Sequence, residues 1–463
     1  MPAVKNVTAS GARDYRAAEQ ETRPQAGRWV DSRWFAAVVL ALPLVVTVAA
    51  LRGLTVTLTI FHGSDEQAYH LPTIRQFAAQ LPFPDLVHYP AAQTPLFHLL
   101  EAYVGKVVGY QLWRLRLVDV VISYALAWAV FYLLHRRLGI RRLLALALAV
   151  VFLLSPYVFG DSFRVMTDNL ALLLVVVAVE RLERFRQTRA LGPYLVACLS
   201  IGLAILTRQS AAFMLPVAAL YAGLAHLDRR LLALTLGAVA LVAAPAAALF
   251  GSWHGLVPRG GNPSSCGLCP AGNVGAAHGL LSAQTLELAL ASLALYGTIL
   301  FAPGALLALA RDNGRLGSWP RSSRPWLYAA LAAAMLGVLL LVLWPARPGP
   351  GSHSAGLIWN AARRLPTIDG SSLVFWILVP LSGVVAVARL RVGPRRLLAS
   401  AFFGCFLLGA LAVRLPWQKY IDPFVLLALL FTLRREDLET PGQLVGLPVL
   451  AAASVAYAVI LTA

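Results

Sequence analysis

The run Gly63-Ser64-Asp65-Glu66-Gln67-Ala68-Tyr69-His70-Leu71-Pro72 directly follows the first long apolar segment of the chain, Trp34–Ile60. An apolar segment of this length can cross a bilayer as a helix. Only 13% of all residues are charged, yet two adjacent carboxylates, Asp65 and Glu66, stand just beyond this segment. They are either a solvated loop pair or part of a polar site. Their place beside a span, at the start of an amphipathic element, favours a polar site at the membrane surface.

The composition of the whole chain predicts a membrane protein. Of the 463 residues, 59% are hydrophobic, and the mean hydropathy is +0.70. A soluble domain of this size needs a charged surface, and the chain has too few charges to cover one. The net charge of +18 does not indicate nucleic-acid binding, because the Arg residues cluster in short stretches between apolar runs. This pattern is typical of cytoplasmic loops next to anionic lipid, so membrane lipid is the expected partner.

Repeated apolar runs predict an all-α polytopic membrane protein with about 11–13 transmembrane helices. Residues 1–33 are polar and of mixed charge, which predicts a disordered cytoplasmic tail. No small-residue cleavage site follows the first apolar run, so a cleaved signal peptide is not expected. Residues 34–463 then form a single transmembrane domain. The predicted spans are Trp34–Ile60, Leu117–Leu134, Leu143–Phe159, Asn169–Leu182, Tyr194–Leu206, Ala211–His226, Leu231–Phe250, Thr285–Leu309, Trp326–Trp344, Ser372–Leu390, Leu397–Val413, Ile421–Leu433 and Leu444–Thr462.

The distribution of basic residues predicts the orientation. With the N-terminus in the cytoplasm, the cytoplasmic segments carry about two thirds of the 39 Lys and Arg residues. We therefore expect a multi-pass protein of the plasma (inner) membrane with Asp65 and Glu66 on the extracytoplasmic side. The outer segments 61–116, 251–283 and 345–371 are longer than simple connectors, which in compact folds usually indicates function.

The first outer segment is predicted to contain two amphipathic helices. Thr94 can cap a helix that has Pro95 at its first position, and apolar residues follow at helical spacing as far as Val107. Residues from Glu66 to Ala79 predict a second, shorter helix. Helices of this kind are expected to lie in the membrane surface and to cover the outer ends of the bundle.

Further polar residues fall near the same predicted face. Arg164 and Asp168 flank a short outer turn, and Arg208 with Gln209 interrupts the tip of an apolar hairpin. Guanidinium groups bind phosphate bidentately, and a carboxylate can take a proton from an attacking hydroxyl. Simpler roles stay open, because an Arg at a helix end can extend to the interface, Asp168 can cap a helix, and His70 can be an interfacial hydrogen-bonding residue.

Other polar residues at this face are less specific, and the cysteines suggest no metal site. Basic and amide groups also occur at Arg363, Arg364, Arg414, Gln418 and Lys419. Cys266 and Cys269 form a Cys-Gly-Leu-Cys run, but a structural zinc site usually needs two more ligands, and His254 and His278 are the only candidates. A disulfide or free thiols is the favoured interpretation, with a metal site as the alternative.

The chain has no Asp-x-Asp pair, P-loop, Rossmann glycine pattern or His-Glu-x-x-His motif, so a sugar transferase with this sequence is expected to use a lipid monophosphate sugar as its donor and not a nucleotide sugar. The motifs it does have resemble those of the C-type (GT-C) glycosyltransferases. Within them the similarity is to the dolichyl-phosphate-glucose α-1,2-glucosyltransferase family. The matching motifs are Asp65-Glu66, His70-Leu71-Pro72, Thr94-Pro95, Thr167-Asp168, Arg208-Gln209-Ser210 and the stretch Gly275 to His278.

The resemblance covers patches between about residues 60 and 290, and it has departures. The spacing from Asp-Glu to His is one residue longer than in the family, and Ser210 stands where the family has Thr. The resemblance implies a GT-C-like fold and an inverting transfer of a hexosyl group to an acceptor hydroxyl on the extracytoplasmic face. It also implies a reaction that needs no tightly bound metal and no cofactor. The Ala-, Leu- and Arg-rich composition suggests a bacterial relative, in which the donor is a polyprenyl-phosphate sugar and the acceptor a glycan or lipid-linked molecule.

In this hypothesis Asp65 is the first candidate for the general base and Glu66 the second. The candidate substrate-binding residues are His70, Arg164, Asp168, Arg208, Gln209 and His278. Two other function classes stay open. A multi-pass transporter or lipid flippase would place ionisable groups near the bilayer midplane, often in repeated halves, and no repeat is visible. In a noncatalytic assembly partner, a change at Asp65 would alter complex formation and no chemistry.

Overall fold

The computed structural model describes residues 32–54, 65–224, 228–261, 283–311, 324–346, 356–390, 396–411, 417–433 and 445–462. In these ranges the chain is almost entirely helical, which confirms the predicted all-α class. Within the described residues, each predicted span overlaps a helix or two helices in succession. Almost all of the predicted tail 1–33 lies outside the described residues.

Ten α-helices form the N-terminal part of the described chain. They are α1 (Arg33–Ala50), α2 (Leu71–Gln80), α3 (Leu96–Val108), α4 (Leu112–Tyr132), α5 (Arg142–Leu153), α6 (Pro156–Asp161), α7 (Asp168–Thr188), α8 (Leu191–Thr207), α9 (Met214–Leu224) and α10 (Arg229–Trp253). A π-helical turn, Glu66–His70, leads into α2, and a second, Leu133–Arg137, extends α4. A 3₁₀ turn, Gln209–Phe213, separates α8 from α9.

The C-terminal part adds seven helices and one small sheet. They are α11 (Ala283–Arg311), α12 (Arg324–Leu343), α13 (Leu357–Arg364), β1 (Thr367–Ile368), β2 (Ser371–Ser372), α14 (Leu373–Leu390), α15 (Arg396–Leu411), α16 (Asp422–Thr432) and α17 (Gly446–Thr462). The two strands pair antiparallel, with Thr367 opposite Ser372. A 3₁₀ turn, Gln418–Tyr420, precedes α16.

Local sequence explains where several helices begin and end. The Ser32 hydroxyl caps α1 by accepting a hydrogen bond from the amide of Phe35 at 3.1 Å, and Asp228 caps α10 in the same way. Pro156 occupies the first position of α6, a favoured place for proline. It cannot continue the hydrogen bonding of α5, so the predicted span Leu143–Phe159 is two helices.

Five described helices have the length and composition of membrane spans: Arg33–Ala50, Leu112–Arg137, Arg229–Trp253, Ala283–Pro303 and Pro325–Leu343. Several other apolar helices are shorter. Exposed apolar side chains cover α12, as a helix facing lipid requires. The chain is therefore a multi-pass membrane protein.

The two predicted amphipathic helices of the first outer loop are present as α2 and α3. Helix α3 buries the polar residues His98 and Glu101 against the protein and exposes the apolar residues Tyr103 and Val107, the latter by 86%. A soluble amphipathic helix does the reverse. This arrangement suits a helix whose outer face lies in the membrane interface.

Candidate active site

Glu66 of the first outer loop is buried, and its carboxylate is bound by Arg116 of α4. The Arg116 Nε and Nη2 atoms donate to Glu66 Oε1 and Oε2 at 3.1 and 2.7 Å. The amide of Val165 donates to the same Oε1 at 2.8 Å, and Arg116 also donates to the Leu54 carbonyl at 3.0 Å. Because both oxygens are occupied in a buried ion pair, these contacts do not support the prediction that Glu66 is a base.

Asp65 adjoins Glu66 in sequence but lies in a different environment. Its Oδ2 atom lies 3.6 Å from Nζ of Lys419, and its side chain is 22% exposed. Lys419 is buried, and burial lowers its pKa, but Tyr420 and nearby carboxylates outweigh that effect and raise the pKa above its usual range. Lys419 is therefore a charged ammonium group in contact with the candidate base.

The position of Lys419 is fixed by its neighbours in the 3₁₀ turn. Gln418 accepts a hydrogen bond from the amide of Ile358 at 2.9 Å and donates to Asp422 Oδ2 at 2.7 Å. Asp422 in turn accepts hydrogen bonds from the hydroxyls of Ser292, at 2.8 Å, and Tyr296. The turn that carries Lys419 is thus attached to α11 and α13.

Arg208 lies beside Lys419 and shares an aromatic neighbour with it. The guanidinium of Arg208 pairs with the carboxylate of Asp168 and donates to the Thr167 hydroxyl at 3.3 Å. Its Cζ atom lies 4.2 Å from the centre of the Tyr420 ring, and the Lys419 Nζ lies 4.9 Å from the same centre. Both cations therefore contact one aromatic ring, whose quadrupole attracts each of them.

Asp168, Arg208, Lys419 and Tyr420 border a small, partly open cavity. Its polar wall includes Asp161, Asp168, Arg208 and Lys419, together with Tyr157, Asn169, Ser210 and Tyr420. Its apolar wall consists of Val158, Ala171, Leu172, Pro423 and Phe424. A lining that combines two cations with apolar side chains suits a ligand that has an anionic head and an apolar tail.

The predicted substrate-binding residue His70 reaches this region as one of a buried histidine pair. Its Nδ1 lies 2.9 Å from Nε2 of His98, and the two rings are stacked with an interplanar angle of 13°. Burial, followed by the charges of Lys419 and Arg208, lowers the pKa of His70 to about 3. His70 is neutral at physiological pH, and one nitrogen of the pair donates to the other.

Two further predicted binding residues contact mainly the protein itself. The Gln209 amide donates to the carbonyls of Ala92, at 2.8 Å, and Leu256, at 3.3 Å. It therefore connects the hairpin tip to the first outer loop and to the end of α10. Arg164 is buried close to Asp161, and burial lowers its pKa despite that carboxylate and others nearby. Neither residue borders the cavity.

Sequence reasoning overlooked Asp161 as a functional residue. It is the last residue of α6, is 7% exposed and borders the cavity. Burial, followed by the charge of Asp168, raises the pKa of Asp161 to about 7. Asp161 lies between α6 and the outer turn before α7, which is only weak evidence for a functional residue in the sequence. Only the folded chain shows that this turn is buried.

Some predictions concern residues outside the described ranges. These are the substrate-binding role of His278, the state of Cys266 and Cys269, and most of the outer segment 251–283. Among the residues that the structure describes, no three His, Cys, Asp or Glu side chains are grouped to hold a metal ion.

Part of the chain is similar to a known protein family. Residues 92–253 match the family model described as "Dolichyl-phosphate-mannose-protein mannosyltransferase". No curated protein sequence matches the chain. Among solved structures, ArnT from Cupriavidus metallidurans aligns with 90% of this chain and 77% of its own in the apo state, at 17% identity and a TM-score of 0.36. Its undecaprenyl phosphate complex aligns with 92% and 78%, at 16% identity and a TM-score of 0.38.

The family match confirms the predicted resemblance to GT-C membrane glycosyltransferases, over the segment that it covers. It gives no support to the narrower resemblance to the glucosyltransferase family. The matched segment contains Asp161, Asp168 and Arg208, whereas Asp65 and Lys419 lie on either side of it.

Proposed function

We propose that this protein transfers a hexosyl group from a polyprenyl-phosphate-linked sugar to an acceptor hydroxyl on the extracytoplasmic face of the membrane, with inversion at the anomeric carbon. The observation that carries the proposal is the contact between Asp65 and Lys419 beside a cavity that also holds Arg208. A base and two phosphate-binding cations are the groups that such a transfer requires.

The cavity suits the phosphate and the first part of the lipid chain of the donor. Arg208 and Lys419 bind the phosphate oxygens and stabilise the negative charge that develops on them during transfer. The apolar wall, which includes Leu172 and Phe424, contacts the first isoprene units. The matched family is named for a lipid-monophosphate sugar, which supports a donor of this class.

Asp65 is the general base of the proposed reaction. The acceptor hydroxyl attacks the anomeric carbon from the side opposite the phosphate, and Asp65 takes the hydroxyl proton as the new bond forms. Glu66 acts indirectly, because its ion pair with Arg116 fixes the turn from which Asp65 projects. Attack in one displacement inverts the anomeric centre.

The other predicted residues position these groups. Asp168 orients the guanidinium of Arg208, and Gln209 ties the hairpin tip to the first outer loop. His70, being neutral and buried, keeps the start of α2 against His98. Arg164 adds positive potential near the carboxylates, and His278 stays a predicted contact to donor or acceptor.

The test is transfer of labelled hexose from polyprenyl-phosphate hexose by the protein reconstituted in liposomes. Asp65→Asn should reduce turnover by about 10²–10⁴-fold, the usual contribution of a general base. Asp85→Asn, at a solvated carboxylate of the same loop, is the matched control and should keep its rate. Near-normal turnover of Asp65→Asn would show that Asp65 is not the general base. Lipid translocation or solute uptake without transfer would indicate the transporter class.

A further inference from the structure

We propose that Asp161 is the general acid of the transfer, donating a proton to the phosphate oxygen that leaves the sugar. The inference rests on the proposed function, because it assigns a role within the same cavity. No sequence motif of the chain points to this residue. The geometry of the site does, because Asp161 borders the cavity together with both candidate phosphate-binding cations.

The first argument comes from the partners of the carboxyl groups around the site. Three carboxylates are each paired with a cation, and the pairs are Glu66 with Arg116, Asp65 with Lys419, and Asp168 with Arg208. Asp161 has no such pair among the described residues, and none of them donates a hydrogen bond to its carboxyl group. It is 93% buried yet faces the cavity, so its oxygens are free to meet a ligand.

The second argument concerns the protonation state of Asp161. Burial and the neighbouring charge of Asp168 raise its pKa to about 7, although Lys419, Arg164 and Arg208 act in the opposite direction. The raised pKa means that the carboxyl group carries its proton below about pH 7 and loses it above. General acids work best when the pKa lies near the working pH.

The charged groups on every element packed against α6 are consistent with this state. Asp168 of α7 is acidic and favours the protonated form of Asp161, and Asp119 of α4 is a second acidic group close to Asp161. The carboxylate of Asp422 of α16 accepts hydrogen bonds from the hydroxyls of Ser292 and Tyr296 of α11. Its oxygens are therefore occupied by partners other than Asp161. The cations Arg164, Arg208 and Lys419 oppose protonation, but burial outweighs them.

The chemical step uses both carboxyl groups. The acceptor oxygen forms a bond to the anomeric carbon, and its proton passes to Asp65. The bond between the anomeric carbon and the phosphate oxygen breaks, its electron pair stays on that oxygen, and the proton of Asp161 moves to it. Asp65 ends protonated and Asp161 ionised, and proton exchange with water restores both. The lipid leaves as a singly protonated phosphate monoester.

A pH profile of transfer tests the assignment. The wild-type turnover number should fall as the pH rises through about 7, because Asp161 then loses the proton that it must donate. Asp161→Asn keeps the shape of the neutral acid but cannot supply its proton. We expect it to lower turnover by about 10²-fold or more and to remove the alkaline decline, with the donor KM changed by less than about threefold.

Glu101→Gln is the matched control. Glu101 is also buried with a pKa raised by burial, to about 8, but it does not border the cavity. This variant should keep the alkaline decline, which separates proton donation from a pH effect on folding. A less basic leaving phosphate, as in a hexosyl aryl phosphate donor, needs less help from a general acid. With this donor the loss of turnover in Asp161→Asn, relative to the wild type, should become smaller. The loss of turnover in Asp65→Asn should stay the same.

The outcomes separate the two proposals. If the wild-type protein transfers no sugar, the proposed function fails. If it transfers sugar and Asp161→Asn keeps both the rate and the alkaline decline, the general-acid role of Asp161 is overturned and the proposed function stands. The role is also overturned if Glu101→Gln abolishes the decline as completely as Asp161→Asn.

Discussion

The Nζ atom of Lys419 lies 3.6 Å from Oδ2 of Asp65, and so a residue just after the first span contacts one that just precedes α16. The contact brings the candidate base against a cation of the phosphate site. It also joins the first outer loop to the C-terminal helices, through a turn held by α11 and α13. On the proposed function, donor and acceptor therefore meet where the first outer loop contacts the C-terminal helices.

Removing the ammonium group of Lys419 should weaken donor binding. A hydrogen bond to a charged group contributes about 1.5–3 kcal/mol, so we expect Lys419→Met to raise the donor KM by about 10–100-fold. The measurement is the initial rate of transfer against donor concentration. Lys106→Met, at an exposed position of α3 away from the cavity, is the control. An unchanged donor KM in Lys419→Met would show that this ammonium does not bind the phosphate.

Breaking the buried pair of Glu66 and Arg116 should destabilise the fold. Glu66→Ala leaves a guanidinium uncompensated in a dry environment, and loss of one partner of such a pair costs about 3–5 kcal/mol. The double variant Glu66→Leu/Arg116→Met should recover much of that loss, because it removes both charges. The measurement is the free energy of unfolding in detergent. Equal stability of Glu66→Ala and the wild type would contradict a structural role for the pair.

The histidine pair should make the protein less stable in acid. The pKa of His70 falls from 6.5 to about 3 on folding, and that of His98 is lowered in the same sense. The unfolded chain therefore binds more protons below pH 6.5. The free energy of unfolding should fall on acidification from pH 6.5 by up to about 1.4 kcal/mol per pH unit for each ring.

The measurement for this pair is unfolding in detergent between pH 6.5 and pH 4.5. The double variant His70→Phe/His98→Phe should flatten the pH dependence, because neither position then takes up a proton. His88→Phe, at an exposed position of the same loop, is the control and should keep the wild-type slope. A double variant as acid-sensitive as the wild type would show that other groups cause the effect.

Much of the helical fold is predictable from the sequence, because apolar runs of span length and proline positions are local features. Within the described residues the predicted spans overlap helices. Where a span differs from the structure, the cause is again a local feature of the sequence. The break at Pro156, for example, divides one predicted span into α5 and α6. The amphipathic pattern of α3 predicts a helix, but only the folded chain shows that its polar side, with His98 and Glu101, is the buried one.

The candidate site was predictable only in part. Asp65, Asp168 and Arg208 stand out as charges beside apolar runs. In the structure Asp65 contacts Lys419, Arg208 contacts the adjacent Tyr420, and Asp168 pairs with Arg208. The pairing of Glu66 with its arginine joins residues far apart in the chain, and no local pattern reveals such a partner. Burial is equally hard to predict from the sequence. A carboxylate in a short turn is expected to be solvated, and only tertiary packing shows that it is buried.

Two cations on the ring of Tyr420 have a consequence for turnover. On the proposed reaction, the donor is a phosphate diester with a single negative charge, whereas the spent lipid is a monoester that reaches a double charge once it loses its proton. Paired cations attract the doubly charged form more strongly. Release of the carrier lipid, not chemistry, would then limit the steady-state rate, and accumulated carrier would inhibit the enzyme in competition with fresh donor.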